Sequence, residues 1–204
     1  MNGFEEGLAR YWTPEQLEKI RSYRVGIAGA GGLGSNCAFN LVRSGFQDLL
    51  IIDDDHVEPS NLNRQFYFLH QLGQPKVEAL KENLLAINPD LRLTIRQARI
   101  ERENIQELFA DCDIVVEAFD QAAYKRLIIE EFLDSPKFLV AASGLAGWGN
   151  SDAIKVHRVN DTFVLVGDLV TEATELCPPF SPRVNIAAAK QADVILEYVL
   201  GVGV

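Results

Sequence analysis

Gly29, Gly31 and Gly34 stand in a G-x-G-x-x-G spacing within GAGGLGS, with Gly32 as a further small residue. That spacing lets backbone approach a phosphate closely and turns unpaired helix N–H groups toward the anion. Alone the pattern is weak, and a merely tight strand–helix turn would read the same way. Here an apolar run precedes it and a helical pattern follows, the context a nucleotide-binding turn requires. Asp53 closes the next apolar run, LLII, where a carboxylate can accept hydrogen bonds from ribose hydroxyls. Its bland alternative is a surface aspartate that ends a strand. Asp54 and Asp55 adjoin it, and either could simply cap the following loop.

Glycines and an aspartate do not separate a nicotinamide cofactor from ATP; the loop SNLNRQ does. Asn61 and Asn63 offer amide donors and acceptors, and Arg64 offers a planar cationic fork suited to phosphate oxygens. Lys76 follows in GQPKVEAL, where Pro75 fixes the start of a helix. An arginine and a lysine facing one cleft suit a polyphosphate whose charge grows during reaction. As isolated surface charges, either would be unremarkable. Asp120 ends the run DIVVEAFD at the edge where the glycine turn leaves its strand, and in an open parallel sheet that edge is the ligand crevice. A carboxylate beside a triphosphate is a natural magnesium ligand. It could also serve as the N-cap of the helix after it.

These residues need a scaffold, and the rest of the chain predicts one. RVGIAGAGGLGSNCAFNLVRSG reads as strand, turn and helix with Gly45 as the stop, and LLIID completes a βαβ unit. Val77, Leu80, Leu84 and Ile87 recur at helical spacing; LRLTIRQ alternates as a half-buried strand. A short helix at ENIQELFA, a strand at DIVVEAF, a helix at DQAAYKRLIIEEFLD and a strand at KFLVAAS continue the alternation. Ahead of the first strand, Thr13, Pro14 and Gln16 form a capping-box helix start. After residue 143, DAIKVHRV and TFVLVG suggest a β-hairpin around Asn160-Asp161, followed by an acidic, proline-rich crossover loop and a final helix, VNIAAAKQADVILEYVL. The expected fold is α/β: a doubly wound, Rossmann-like, mainly parallel sheet with helices on both faces and an added C-terminal hairpin and helix. We expect a single domain over 1–204, with nucleotide-binding βα units at 24–143 and the modified portion at 144–204.

Composition excludes several classes. The chain has 204 residues, enough for one well-buried core. A net charge of −10 with no lysine or arginine block argues against nonspecific binding to nucleic acid or acidic lipid. No apolar window approaches the ~18 residues of a membrane span. MNGFEEGLARYW is acidic where a signal or transit peptide would be basic, so a cytoplasmic location is expected. Cys37, Cys112 and Cys177 lie far apart and form no Cys-x-x-Cys pair, which argues against a disulfide framework and a cysteine zinc site.

The ordered set GAGGLGS, IDDDHVEPSNLNRQF, GQPKVEAL with INP, and EAFD resembles the ubiquitin-activating-enzyme-like adenylyltransferases, from about residue 9 to residue 201. With SGLAGWGNSDAIK and the compact length, it looks most like the short-form sulfur-carrier-protein adenylyltransferases of bacterial thiamine biosynthesis. The resemblance implies that Gly29, Gly31, Gly32 and Gly34 lie against ATP and that Asp53 holds the ribose. It further implies that Asn61, Arg64 and Lys76 bind the phosphates and that Asp120 positions Mg²⁺. The implied reaction is attack by the C-terminal glycine carboxylate of a small ubiquitin-like sulfur carrier ending in Gly-Gly on the α-phosphorus of ATP. The implied assembly is a homodimer, with VLVGDLV and the C-terminal region as interface, and residues 144–204 would seat the carrier. Many relatives bind zinc through two Cys-x-x-Cys pairs; their absence here predicts no zinc. Arg10 is the nearest candidate for the arginine that relatives lend to a partner's active site. Cys177 lies where some relatives carry a sulfur-transfer cysteine, without the usual surroundings, and is read as an ordinary loop thiol. Cys37 and Cys112 are read as small core residues. The rivals are an NAD(P)-dependent oxidoreductase, a catalytically silent scaffold, and an enzyme that adenylates another acid, in molybdopterin synthesis or on a tRNA.

Overall fold

A computed structural model describes residues 2–201. Its centre is a seven-stranded sheet of β1 (Arg24–Ala28), β2 (Asp48–Ile52), β3 (Arg92–Arg96), β4 (Ile114–Glu117), β5 (Phe138–Ala142), β6 (Lys155–Arg158) and β7 (Phe163–Gly167). The order is β3-β2-β1-β4-β5-β7-β6, parallel except for the terminal β6–β7 pair. The expected hairpin is present, and its second strand lies inside the sheet, parallel to β5. Val164 and Val166, in the stretch expected to form an interface, are therefore buried; Leu169 and Val170 just beyond are exposed.

Among the described residues seven α-helices accompany the sheet: α1 (Gly3–Leu8), α2 (Pro14–Arg21), α3 (Gly32–Ser44), α4 (Lys76–Ile87), α5 (Ile105–Leu108), α6 (Ala122–Phe132) and α7 (Ser181–Leu200). The five inner strands are mostly apolar on both sides, and alternate residues feed two cores. Ile27, Leu49, Ile51, Val116 and Val140 face the core that includes α3, α4 and α7 residues. Ala28, Leu50, Ile52, Val115 and Leu139 face the core beneath α5 and α6. Near-continuous apolar strands are what a parallel sheet covered on both faces demands. α2 starts as its sequence predicts, Thr13 and Gln16 bonding reciprocally around Pro14.

Register positions the site. Ala28 pairs with Ile52 on one side and with Glu117 on the other. β1, β2 and β4 thus end level, and Gly29, Asp53 and Ala118 leave the sheet side by side. The strand order reverses between β1 and β4, the switch point at which such sheets open a crevice.

Candidate active site

The glycine turn begins with Gly29 at φ 101°, a left-handed conformation that a side chain would strain. A Cβ on Gly34 would fall 1.9 Å from the Gly29 carbonyl oxygen, so α3 packs against the turn only because residue 34 has none. Gly31 is the N-cap of α3 and supplies no side-chain cap, which leaves the first-turn N–H groups for another acceptor.

Beyond this turn lies a cavity of about 840 Å³ whose wall includes Gly29, Gly31, Gly32, Asp53, Arg64, Lys76 and Asp120. Residues from five separate chain segments therefore meet at one edge. Asp53 is nearly buried; its Oδ2 accepts from the Ala30 N–H at 2.6 Å and its Oδ1 from the Asp55 N–H at 2.8 Å. Burial pushes its pKa up, and the Lys76 charge and the two backbone donors pull the other way. Lys76, the first residue of α4, is buried and donates to Asp55 Oδ2 at 2.7 Å. The Asp55 side chain is 67% exposed, so this pairing is open to solvent on one side.

The polar loop is fastened to α3. Asn36 Nδ2 donates to the Arg64 carbonyl at 2.8 Å, and the Phe66 N–H donates to Ser35 Oγ at 3.0 Å. Arg64 Nη1 donates only within its own loop, to the Ser60 carbonyl at 3.1 Å and to Asn63 Oδ1 at 2.8 Å. Among the described residues no carboxylate pairs with it. A cation left without a counter-ion on a cavity wall is prepared for an anion.

Two residues assigned to the nucleotide from sequence stand off the cavity wall. Asn61 does not line the cavity; it is buried behind the wall, where its Oδ1 accepts from the Glu58 N–H at 3.0 Å and shapes the loop that carries Arg64. Gly34 likewise lies behind the wall and serves packing. Asp120 lines the cavity, is exposed, and does not cap α6, whose N-cap is Gln121. The other candidates stand outside the site. Arg10 is exposed beyond α1 and is absent from the cavity wall; Cys37 and Cys112 are buried, their thiols pushed up to about 12 and about 11 by burial.

Several residues in or behind the wall were invisible to sequence pattern. Glu117, at the end of β4, is fully buried beneath the cavity and paired with Lys125 at 3.1 Å. Lys125 also donates to the Ala142 carbonyl at 2.9 Å, tying β4, β5 and α6 together under Asp120. Burial pushes the Glu117 pKa up, opposed by Lys125. The Arg99 guanidinium hydrogen-bonds the Tyr124 hydroxyl and lies 5.4 Å from its ring centroid, at the β3 side of the cavity. Thr171, Glu172 and Pro179 of the crossover loop form the opposite wall. Arg183 clasps that loop, donating to Asp168 Oδ2 at 2.5 Å and to the Gly149 carbonyl at 2.9 Å. The i,i+8 spacing of Glu117 and Lys125 across a strand–helix turn is the one signal that could have flagged that pair.

The donor set suits magnesium. Asp120 is an exposed carboxylate on the wall, and Asp53, Asp54 and Asp55 bring carboxylate oxygens within 4.8 Å of one another. Magnesium takes one or two carboxylates and completes its shell with phosphate oxygens and water. Among the described residues no helix is long and apolar enough to cross a membrane.

A family model described as "ThiF family" matches residues 6–203. The chain is 31% identical over 150 residues to the tRNA threonylcarbamoyladenosine dehydratase of Bacillus subtilis (strain 168), covering 72% of this chain and 59% of that protein. It is 33% identical over 133 residues to the sulfur carrier protein ThiS adenylyltransferase of Escherichia coli (strain K12), covering 64% and 53%. Among solved structures, the E. coli tRNA N6-threonylcarbamoyladenosine dehydratase in complex with AMP superposes with a TM-score of 0.83 at 20% identity, covering 96% of this chain and 93% of that one. At that identity the likeness shows a shared fold. The matched stretch spans about half the length of these two curated relatives.

Proposed function

The chain belongs to the ThiF family, within the ubiquitin-activating-enzyme-like adenylyltransferases, and on that premise we propose that it adenylates the C-terminal carboxylate of a small ubiquitin-like sulfur carrier with ATP. One observation carries the reading: Asp53, Arg64, Lys76 and Asp120 share the wall of a single cavity against the glycine turn. Thiamine biosynthesis is the pathway proposed, supported by the 33% identity to a ThiS adenylyltransferase.

The nucleophile is already ionised at neutral pH, so no general base is needed. Its oxygen bonds to the α-phosphorus while the bond from that phosphorus to the bridging oxygen breaks, releasing pyrophosphate. The protein contributes alignment and fixed charge. The glycine turn and the α3 N-terminus receive phosphate oxygens. Asp53 accepts from the ribose. Arg64 exchanges its loop oxygens for phosphate oxygens, and Lys76 turns from Asp55 to the same group. Asp120 would hold magnesium. Bound there, the ion would offset charge on the departing pyrophosphate. Residues 24–143 hold the nucleotide, and the crossover wall of 144–204 receives the carrier's tail. A homodimer is proposed, with the exposed Leu169 and Val170 at its interface. An oxidoreductase would leave Arg64 and Lys76 without a task.

A second reading, adenylation of a tRNA-linked carboxylate, is favoured by the similarity to the B. subtilis dehydratase over 72% of the chain. The net charge of −10 opposes it. The test supplies ATP and magnesium with either a carrier ending in Gly-Gly or bulk tRNA, and follows pyrophosphate release and carrier mass. Carrier-dependent release with a mass gain of one AMP supports the first reading. Release with tRNA alone replaces it with the second.

A further inference from the structure

Lys125 lies on the cavity wall, yet it is a cation of a different kind from Arg64 and Lys76. All three of its ammonium protons have acceptors: both Glu117 carboxylate oxygens at 3.1 Å and the Ala142 carbonyl at 2.9 Å. It has nothing left for a phosphate. Glu117 is fully buried, and its carboxylate also accepts from the Phe119 N–H at 2.7 Å and the Ala142 N–H at 3.4 Å. The Glu117 carbonyl accepts from Gln191 Nε2 of α7 at 3.1 Å, and the Ala118 N–H donates to the Ala28 carbonyl of β1 at 2.9 Å. Residues 117, 118 and 119 are thus each tied to the framework, and Asp120 follows directly. Among the described residues no donor fixes the Asp120 carboxylate itself, so its place on the wall is set by the turn before it.

The β4–β5 ladder stops at Val116 and Val140, and beyond it the Glu117–Lys125 pair spans the two strands. Filling that gap does not require charge. A buried ion pair is weak evidence for stability, and an apolar pair of similar volume often serves as well. What an apolar side chain lacks is an acceptor for the Phe119 N–H. The carboxylate therefore dictates the turn into Asp120, and Lys125 orients that carboxylate from its other side. We propose that Glu117 and Lys125 are positioning residues that set the Asp120 carboxylate for magnesium beside the bound triphosphate. The inference rests on the adenylation reading and gives the buried pair a task separate from phosphate binding. Both side chains act through Asp120. Their loss should weaken the contribution of the metal to nucleotide binding and leave the binding of metal-free nucleotide as it was.

The experiment titrates the full chain calorimetrically with Mg-ATP and with ATP in EDTA, alongside ligand-free melting temperatures. The variants are Lys125→Arg, Glu117→Leu/Lys125→Met, Asp120→Asn, and Asp120→Asn combined with the double change. In the expected result the wild type prefers Mg-ATP over metal-free ATP. The apolar pair leaves the chain folded and reduces that preference about ten- to a hundredfold, the scale of losing the groups that orient a metal ligand. Lys125→Arg, which keeps the charge, should retain it. Asp120→Asn should lose the preference on its own, and adding the apolar pair should then cost nothing more, since residues acting through one group are not additive. An unaltered preference in the folded double variant overturns the proposal. So does an equal fall in metal-free affinity, the mark of a merely structural pair, or a further loss in the Asp120→Asn background. Should the apolar pair fail to fold, Glu117→Gln removes the charge with less change of shape, and an unaltered preference there overturns the proposal equally. A wild type that binds ATP without preferring magnesium sinks this inference and leaves the nucleotide reading standing; one that binds no ATP sinks both.

Discussion

At the amino edge of the sheet, Glu5 is buried and accepts from Arg21, from Gln47 Nε2 at 2.7 Å and from Asn88 Nδ2 at 2.8 Å. Asn88 Oδ1 in turn accepts from Asn2 Nδ2 at 2.8 Å, so α1 is latched across the loops that precede β1, β2 and β3. At the carboxyl edge, Arg64 reaches only oxygens of its own loop, Lys76 leans on an exposed Asp55, and the Gln65 oxygen is bonded to nothing. Both edges carry arginine, carboxylate and amide side chains on the same framework. At the amino edge a buried carboxylate gathers its partners around it, although Arg21 Nε finds none among the described residues; at the carboxyl edge two cations are held in place with only loop oxygens and one exposed carboxylate to meet them. Cations held on a cavity wall without a buried counter-ion, rather than polar groups as such, mark where an anionic ligand belongs.

That contrast can be broken by mutation. The largest effect belongs to the carboxyl edge: Arg64→Ala or Lys76→Ala should each slow pyrophosphate release by about 10²–10³-fold at saturating ATP, by analogy with losing one transition-state donor. The melting temperature should barely move for Arg64→Ala. Near-wild-type turnover in either variant would remove that residue from the mechanism. The amino edge should behave inversely. Glu5→Ala leaves Arg21, Gln47 and Asn88 without their shared acceptor and should cost about 3 kcal/mol in urea unfolding, with turnover per folded molecule unchanged. A turnover defect of similar size to that of Arg64→Ala would erase the distinction between the edges.

Asp53 sharpens it further. Because burial raises its pKa, it gains a proton at a higher pH than an ordinary carboxylate, whose pKa is about 3.9. Nucleotide affinity should therefore begin to fall on acidification above that range. Asp53→Asn should weaken Mg-ATP binding about tenfold at neutral pH and flatten this acid limb; an unchanged limb would assign it to another group. The smallest effect is expected at Asp55. Its exposed pairing with Lys76 is one that phosphate replaces, so Asp55→Asn should change turnover by less than about threefold, as exposed ion pairs contribute little. A loss comparable to that of Lys76→Ala would give Asp55 a direct part.

Much of this was legible in the sequence because it is local. The glycine turn, the apolar strands and the capping box of α2 each declare themselves within a few residues, and strand–helix alternation then dictates a parallel sheet whose carboxyl ends must meet. Gly29, Asp53, Arg64, Lys76 and Asp120 follow from that geometry. What pattern misses depends on distant partners. Glu5 reads as part of an acidic, exposed terminus until Arg21, Gln47 and Asn88 arrive around it. Glu117 reads as the polar end of a strand, yet Lys125 and the Phe119 and Ala142 backbone amides allow it to be buried completely. Asn61 has the right chemistry for phosphate, but its loop needs that amide as a cap. Asp120 has the right chemistry for a cap and is left free on the wall.

The most direct test is a crystal structure of the protein with a non-hydrolysable ATP analogue and magnesium. The triphosphate should lie against Gly31 and the start of α3, with Arg64 and Lys76 within hydrogen-bond distance of its oxygens and Lys76 released from Asp55. A nucleotide bound elsewhere, or one whose phosphates leave both cations untouched, would contradict the account.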